Sequence, residues 1–154
     1  FTFNYFAENT YVVYDDVSKE SAIIDPGCCN IIEENELKNF ILQHGLKPVH
    51  LLNTHCHIDH IFGNRYVAER YKLDLEANFL DIYNIHSAQV FADQMGIPKP
   101  DSPMPVIDIK EGDIITIGDI KLNVIFAPGH CTGHVVFYNE KEYYLMEQIL
   151  INYF

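Results

Sequence analysis

His55, His57, Asp59 and His60 fall within six residues, directly after Val49-His50-Leu51-Leu52-Asn53, an apolar run that reads as a β-strand. Imidazole and carboxylate together suit zinc, iron or manganese, and three protein ligands with one open position suit catalysis. His55 and His57 are two residues apart, so an extended backbone points both rings to the same side. Asp59 and His60 fall where the chain turns toward the next helix, which folds them back beside that pair. One short segment can therefore begin two adjacent metal sites.

A second element, Pro128-Gly129-His130-Cys131-Thr132-Gly133-His134, follows another strand and supplies further imidazoles. On its own it would read as a structural turn. Paired with the upstream cluster it reads as a source of a third histidine ligand. The isolated His44, His50 and His86 are assigned to the surface or to satisfied core positions. Cys28, Cys29, Cys56 and Cys131 form no C-x-x-C spacing. Cys28 and Cys29 are adjacent, a poor geometry for a disulfide. Cys56 sits between two candidate ligands, so alternation turns it away from them. Cys131, next to His130, is the one thiol to watch at the site.

Thr54-His55-Cys56-His57-Ile58-Asp59-His60 is similar to the T-H-x-H-x-D-H signature of the metallo-β-lactamase superfamily, in particular its glyoxalase II-like hydrolases. Pro128 to His134 resembles that family's P-G-H-(S/T)-x-G-H element. Phe1-Thr2-Phe3-Asn4, Glu8-Asn9-Thr10-Tyr11 and Ile24-Asp25-Pro26-Gly27 look like the opening of such a domain, and the resemblance runs to about residue 140. It implies an α/β sandwich of αβ/βα architecture. His55, His57 and His130 would hold a first metal, and Asp59 with His60 would begin a second. The implied cofactor is one or two zinc ions, with iron or manganese also compatible. The implied reaction is hydrolysis of a thioester or related acyl bond by a metal-activated hydroxide, with Asp59 orienting the nucleophile and accepting a proton. His134 would contact substrate or pack its loop.

The resemblance ends before the chain does. Relatives follow the last strand with a G-D element whose aspartate bridges the metals, and later supply another histidine. Here residues 141–154 depart from that pattern: no Asp follows Asp119 and no His follows His134. Glu147 is the nearby carboxylate able to substitute as a ligand. A shortened or frame-shifted gene, a natural short homologue and a partner that completes the site all fit this ending. Each predicts exposed apolar surface near the C-terminus and pairing of two copies through that edge. With the bridging carboxylate gone, one metal on three histidines and weak turnover are expected. Two other readings stand beside the hydrolase: a mononuclear iron persulfide dioxygenase, which needs Glu147 as ligand, and a non-catalytic metal-binding or interaction fragment. A β-lactam substrate fits the early motif less well.

At 154 residues, 48% of them hydrophobic, the chain suits a single domain with a sizeable core. Its net charge of −12 disfavours nucleic acid as a partner, because phosphate binding needs clustered Lys and Arg. The longest apolar runs are too short to span a bilayer, and no basic-then-apolar leader opens the chain. The expected setting is the cytoplasm, with a small-molecule acyl substrate and no membrane.

The elements that must position these groups follow from pattern. Residues 1–6 and 11–14 read as paired strands, and residues 21–24 as a third. Ile32, Leu37, Ile41 and Leu42 mark a helix face that ends near Gly45. Residues 61–71 carry helical spacing, a short strand follows at 73–77, and a helix runs over 80–95. The proline-rich stretch 97–105 reads as a stiff loop, either a linker or a lip over the site. Strands are expected at 106–109, 114–117, 121–126, 135–138 and 143–145. Strands, then helices, then strands suit sheets packed face to face with helices outside. The stretch Leu75-Glu76-Ala77-Asn78 stands where relatives often read L-E-A-H, which raises substrate contact at Asn78 against an ordinary surface change.

Overall fold

The computed structural model describes residues 1–141 and the backbone of 144–146. A two-stranded ribbon opens the chain, from β1 (Thr2–Phe3) and β2 (Glu8–Asn9). A five-stranded sheet follows in the order β3-β4-β5-β6-β7, built from Tyr11–Tyr14, Glu20–Ile24, Lys47–Leu52, Leu75–Ala77 and Ile107–Asp108. β3 and β4 are antiparallel; β4 to β7 pair in parallel. The helices α1 (Ile31–Gln43), α2 (Asn64–Tyr71) and α3 (Ile82–Met95) are the crossovers that parallel pairing requires. An antiparallel sheet in the order β11-β10-β9-β8 completes the molecule, from β8 (Ile114–Ile117), β9 (Ile120–Phe126), β10 (Val135–Asn139) and β11 (Tyr144–Met146).

Strand alternation divides the core in two. Ile23, Leu51, Leu75 and Ala77 cluster with Leu37 and Ile41 of α1, Val67 of α2, and Ile85, Ala88 and Ala92 of α3. Their sequence neighbours Ala22, Ile24 and Leu52 point the other way, into a cluster with Ile115, Ile117, Leu122, Val124, Val135 and Phe137 of the second sheet. The five-stranded sheet is therefore buried on both faces, which explains its near-continuous apolar runs. The result is a mixed α/β sandwich, and among the described residues its helices cover the first sheet.

The opening ribbon differs from the sequence expectation. Residues 1–6 do not pair with 11–14; Thr2 instead faces Asn9 and Phe3 faces Glu8. Asn4 and Ala7 adopt left-handed backbone (φ 53 and 54), and Asn4 Oδ1 accepts from Phe6 N–H, so the chain folds back within four residues. The face expected for α1 also narrows. Leu37 and Ile41 are buried, but Ile32 and Leu42 lie too far around the helix and stay exposed. Asn30 caps this helix, its side chain accepting from Ile32 N–H and Glu33 N–H.

The proline-rich stretch is neither linker nor lip. Pro100 O accepts from Gln89 Nε2, Asp101 pairs with Arg65, and Asn64 Nδ2 donates to Ser102 Oγ, so the segment straps α2 to α3. Among the described residues no helix is long and apolar enough to cross a membrane. Phe137, fully buried between the sheets, gives a direct check of this packing. Phe137→Ala is expected to lower unfolding stability by about 3–5 kcal/mol, read as the shift in urea midpoint at unchanged slope.

Candidate metal centre

β5 ends at Leu52 and hands the chain to the histidines under tight control. Asp25, fully buried just beyond β4, is the anchor: its Oδ1 accepts from Thr54 N–H (2.7 Å) and Asn53 Nδ2 (3.1 Å), and its Oδ2 from Thr54 Oγ1 (2.5 Å). Asp25 itself sits at φ 50, an uncommon left-handed position for a non-glycine residue, held by Asp25 N–H donating to Leu52 O. Asn53 Nδ2 also donates to His60 O, closing the loop on itself. Thr54 O accepts from Val135 N–H, which stitches the motif to the second sheet.

The backbone through His57 is extended, and the alternation expected from sequence is present. The His55 and His57 rings lie 4.7 Å apart centre to centre, while Cys56 between them is buried in the helix-side core. His130 arrives from the loop after β9. Its Nε2 lies 2.9 Å from His57 Nδ1, and ring nitrogens of His55, His57 and His130 all fall within 4.8 Å of one another. Buried His55 Nε2 has no hydrogen-bond partner among the described residues. Burial and the neighbouring imidazoles hold His55, His57 and His134 below the usual histidine range, so their rings are neutral with lone pairs available. Tetrahedral zinc–nitrogen bonds of about 2.0–2.1 Å need nitrogens roughly 3.3 Å apart, which these three residues are placed to meet with small rotations. The donor set fits a divalent cation.

Asp59 and His60 lie on a short 3-10 turn, Ile58–His60. His60 Nε2 is 3.4 Å from Asp59 Oδ2, and its Nδ1 is 3.1 Å from Asp25 Oδ2. Glu8, Asp25 and His60 form a second buried group with ligand atoms close together. Asp25 already accepts three hydrogen bonds, so this group suits orientation of His60 better than cation binding; a carboxylate at one ring nitrogen directs the other toward a metal. Glu8 is the neutral partner. Thr10 Oγ1 lies 2.9 Å from Glu8 Oε2 and 2.8 Å from Asp25 O, and it has one proton. Thr10 Oγ1 shares that proton between Glu8 Oε2 and Asp25 O and accepts from Gly27 N–H. Burial, with the Asp25 and Asp59 charges, pushes Glu8 up to about 10.

Sequence reasoning missed the residue that joins the two histidine loops. Asp81, fully buried at the start of α3, accepts from Cys56 N–H (2.7 Å) and Gly133 N–H (2.9 Å), and from Cys131 Sγ (3.3 Å). Its one signal was its place just before a helix, where aspartate is favoured. Cys131 is therefore tied to Asp81, its thiol pushed up to about 12 by burial and that carboxylate. His134 is buried, its ring 5.0 Å from that of His55. Asn4, also missed, donates through Nδ2 to Gly27 O and Asp59 O. Asn78 holds Leu80 N–H and Ile109 O, a structural role. His50 is satisfied by Glu76 and Thr116 O. His86 instead faces a groove of about 730 Å³ that begins at His57 and Asp59. Glu147 lies outside the described residues.

Residues 4–145 match the profile of the metallo-beta-lactamase superfamily. An uncharacterized protein of Aquifex aeolicus (strain VF5) is 35% identical over 88% of this chain and 61% of its own length. Hydroxyacylglutathione hydrolase GloC of Haemophilus influenzae (strain ATCC 51907) is 29% identical over 86% of this chain and 61% of its own length. The chain thus spans about three fifths of these curated relatives. Among solved structures, TTHA1623 in a di-iron-bound form superposes with TM-score 0.78 at 30% identity, covering 94% of this chain and 68% of that one.

Two outcomes test the centre. Asp81→Ala, which touches no candidate ligand ring, is expected to weaken zinc binding about 10–100-fold by competition titration. In the metal-free chain, unfolded histidines gain protons below 6.5 while His55, His57 and His134 resist, so stability falls on acidification below that value. Glu8 works oppositely: unfolding ionises it above 4.5, so its contribution declines from there up to about 10. His50, raised by its Glu76 partner, acts in the same sense as Glu8, so three histidines stand against these two groups and urea midpoints should fall on acidification below 6.5.

Proposed function

We infer, because this chain belongs to the metallo-β-lactamase superfamily, that it is a metal-dependent hydrolase acting on a thioester or related acyl bond. The observation that carries the reading is the convergence of His55, His57 and His130 on one point beside an open groove. Zinc is the proposed cation, since three converging imidazoles suit it; the di-iron form of the structural neighbour makes iron the alternative. When bound, such a cation lowers the pKa of water from 15.7 to about 7 and polarises a carbonyl oxygen.

The chain's own groups divide the remaining work. His55 is buried and dry, so its Nε2 is kept from solvent until a cation takes it. Asp59 is part-exposed at the inner end of the groove, with His60 Nε2 beside its Oδ2. It is placed to hold and accept the proton of the attacking water. Asn4 fixes the Asp59 backbone, and Asp25 fixes His60, so neither group needs to reorganise during reaction. Ile58 and Phe6 line the groove beside Asp59.

Zinc-reconstituted protein offered a panel of acyl thioesters should release free thiol, and a chelator should stop it. Asp59→Asn should lower kcat by about 10²–10⁴-fold with zinc content unchanged. Metal bound at one equivalent or more with no thiol released from any thioester would sink the hydrolase. Oxygen uptake by the iron-loaded protein with a persulfide would establish the oxidative alternative instead.

A further inference from the structure

The outer face of α3 is unusual for a surface helix. Its inner stripe, Ile85, Ala88 and Ala92, is buried against the sheet. A second apolar stripe runs along the opposite side: Tyr83, Val90 and Phe91 are 76%, 58% and 41% exposed. Asn84, Ser87 and Gln94 share that side, since residues three and four apart on a helix are neighbours. Across from it stands Phe6, projected by the turn of the opening ribbon. Between the two lies the groove of about 730 Å³, within the range of small-molecule sites. It is continuous with the metal centre, because His57 and Asp59 form its inner end.

The charge on its walls is as informative as their apolarity. Among the described residues that line it there is no Lys or Arg, and Asp59 is the one carboxylate. An anionic arm lying along α3 would meet no Lys or Arg and one carboxylate, Asp59; the other ionisable groups on the walls are the imidazoles of His57, at the inner end, and His86. Asn84, Ser87 and Gln94 offer neutral hydrogen bonds only. An uncharged chain loses nothing on leaving water at these positions and gains by covering Tyr83, Val90 and Phe91.

We propose that this groove receives the uncharged, apolar acyl arm of the substrate, so that the preferred substrates are thioesters of alkyl or aryl acids. The proposal rests on the hydrolase reading for the word substrate. The groove's affinity for an apolar chain can be measured without turnover. The arm lies along α3 between Phe6 and Phe91, with its carbonyl end at His57 and Asp59.

The test is calorimetric binding of non-hydrolysable thioethers to the zinc-loaded and metal-free chain. The probes are S-ethyl to S-octyl N-acetylcysteamine, and the same alkyl series ending in an ω-carboxylate, which puts the anionic charge on the arm itself. Kd is expected to fall about two- to fourfold per added methylene until the groove is filled, with or without zinc. The ω-carboxylates should bind no tighter than the neutral ones. Val90→Asp, an exposed substitution, should flatten the chain-length slope while circular dichroism stays that of the parent. Leu42→Asp, on the exposed side of α1, should leave the slope intact. A Kd independent of chain length, ω-carboxylates tenfold tighter at equal chain length, or a slope that survives Val90→Asp would each overturn the proposal. None of these outcomes depends on whether thioesters are hydrolysed.

Discussion

Asp81 is the constraint on which the site depends. Two loops carry the histidines, one leaving the mostly parallel sheet and one belonging to the antiparallel sheet. Nothing in the pairing of strands alone requires them to meet. A single buried carboxylate takes backbone N–H groups from both, Cys56 from one and Gly133 from the other. Hydrogen bonds to a carboxylate are stronger than neutral ones, and a buried carboxylate that lost them would be costly. The loops are therefore held at one separation, and the ring nitrogens inherit that geometry. Gly133 is required for the approach, because a Cβ there would fall 2.8 Å from Asp81 N.

Behind this clamp the protein sorts its protons. Asp25 accepts three hydrogen bonds, burial pushes Glu8 a few ångströms away up to about 10, and burial holds His55 and His57 in front below the usual histidine range. Each assignment follows from burial and from which neighbour can donate. Together they leave His60 directed by Asp25 on one nitrogen and facing Asp59 with the other. Stability without metal is a compromise among these groups, since the histidines favour folding at higher pH and Glu8 at lower.

Much of this was legible in sequence, and the reasons differ by residue. Period-two alternation placed His55 and His57 on one side and Cys56 on the other, a local rule that tertiary contacts did not override. Helix α1 was visible from its spacing, although an idealised stripe assigned Ile32 and Leu42 to a face they do not reach. Asp81 and Asn4 were invisible because their partners lie 25, 52 and 55 residues away, and no periodicity links such positions. The opening ribbon was misread because left-handed Asn4 and Ala7 reverse the chain early, and neither residue type announces it as glycine would. His86 was set aside as a lone surface histidine; the groove it faces exists only once α3 is placed against the Phe6 turn.

The separation of His57 from His130, 73 residues, has a consequence for how the protein is made. A ribosome adding about 5–20 residues per second needs roughly 4–15 s to pass from one to the other. For that interval the first histidines exist without the third. The inner face of the first sheet, with Ala22, Ile24 and Leu52, waits without the strands that will cover it. A nascent chain of this kind presents partial metal ligands and bare apolar surface at the same moment. Capture of the ion and burial of that surface are completed by the same late segment, so the metal centre closes only when synthesis has passed His130.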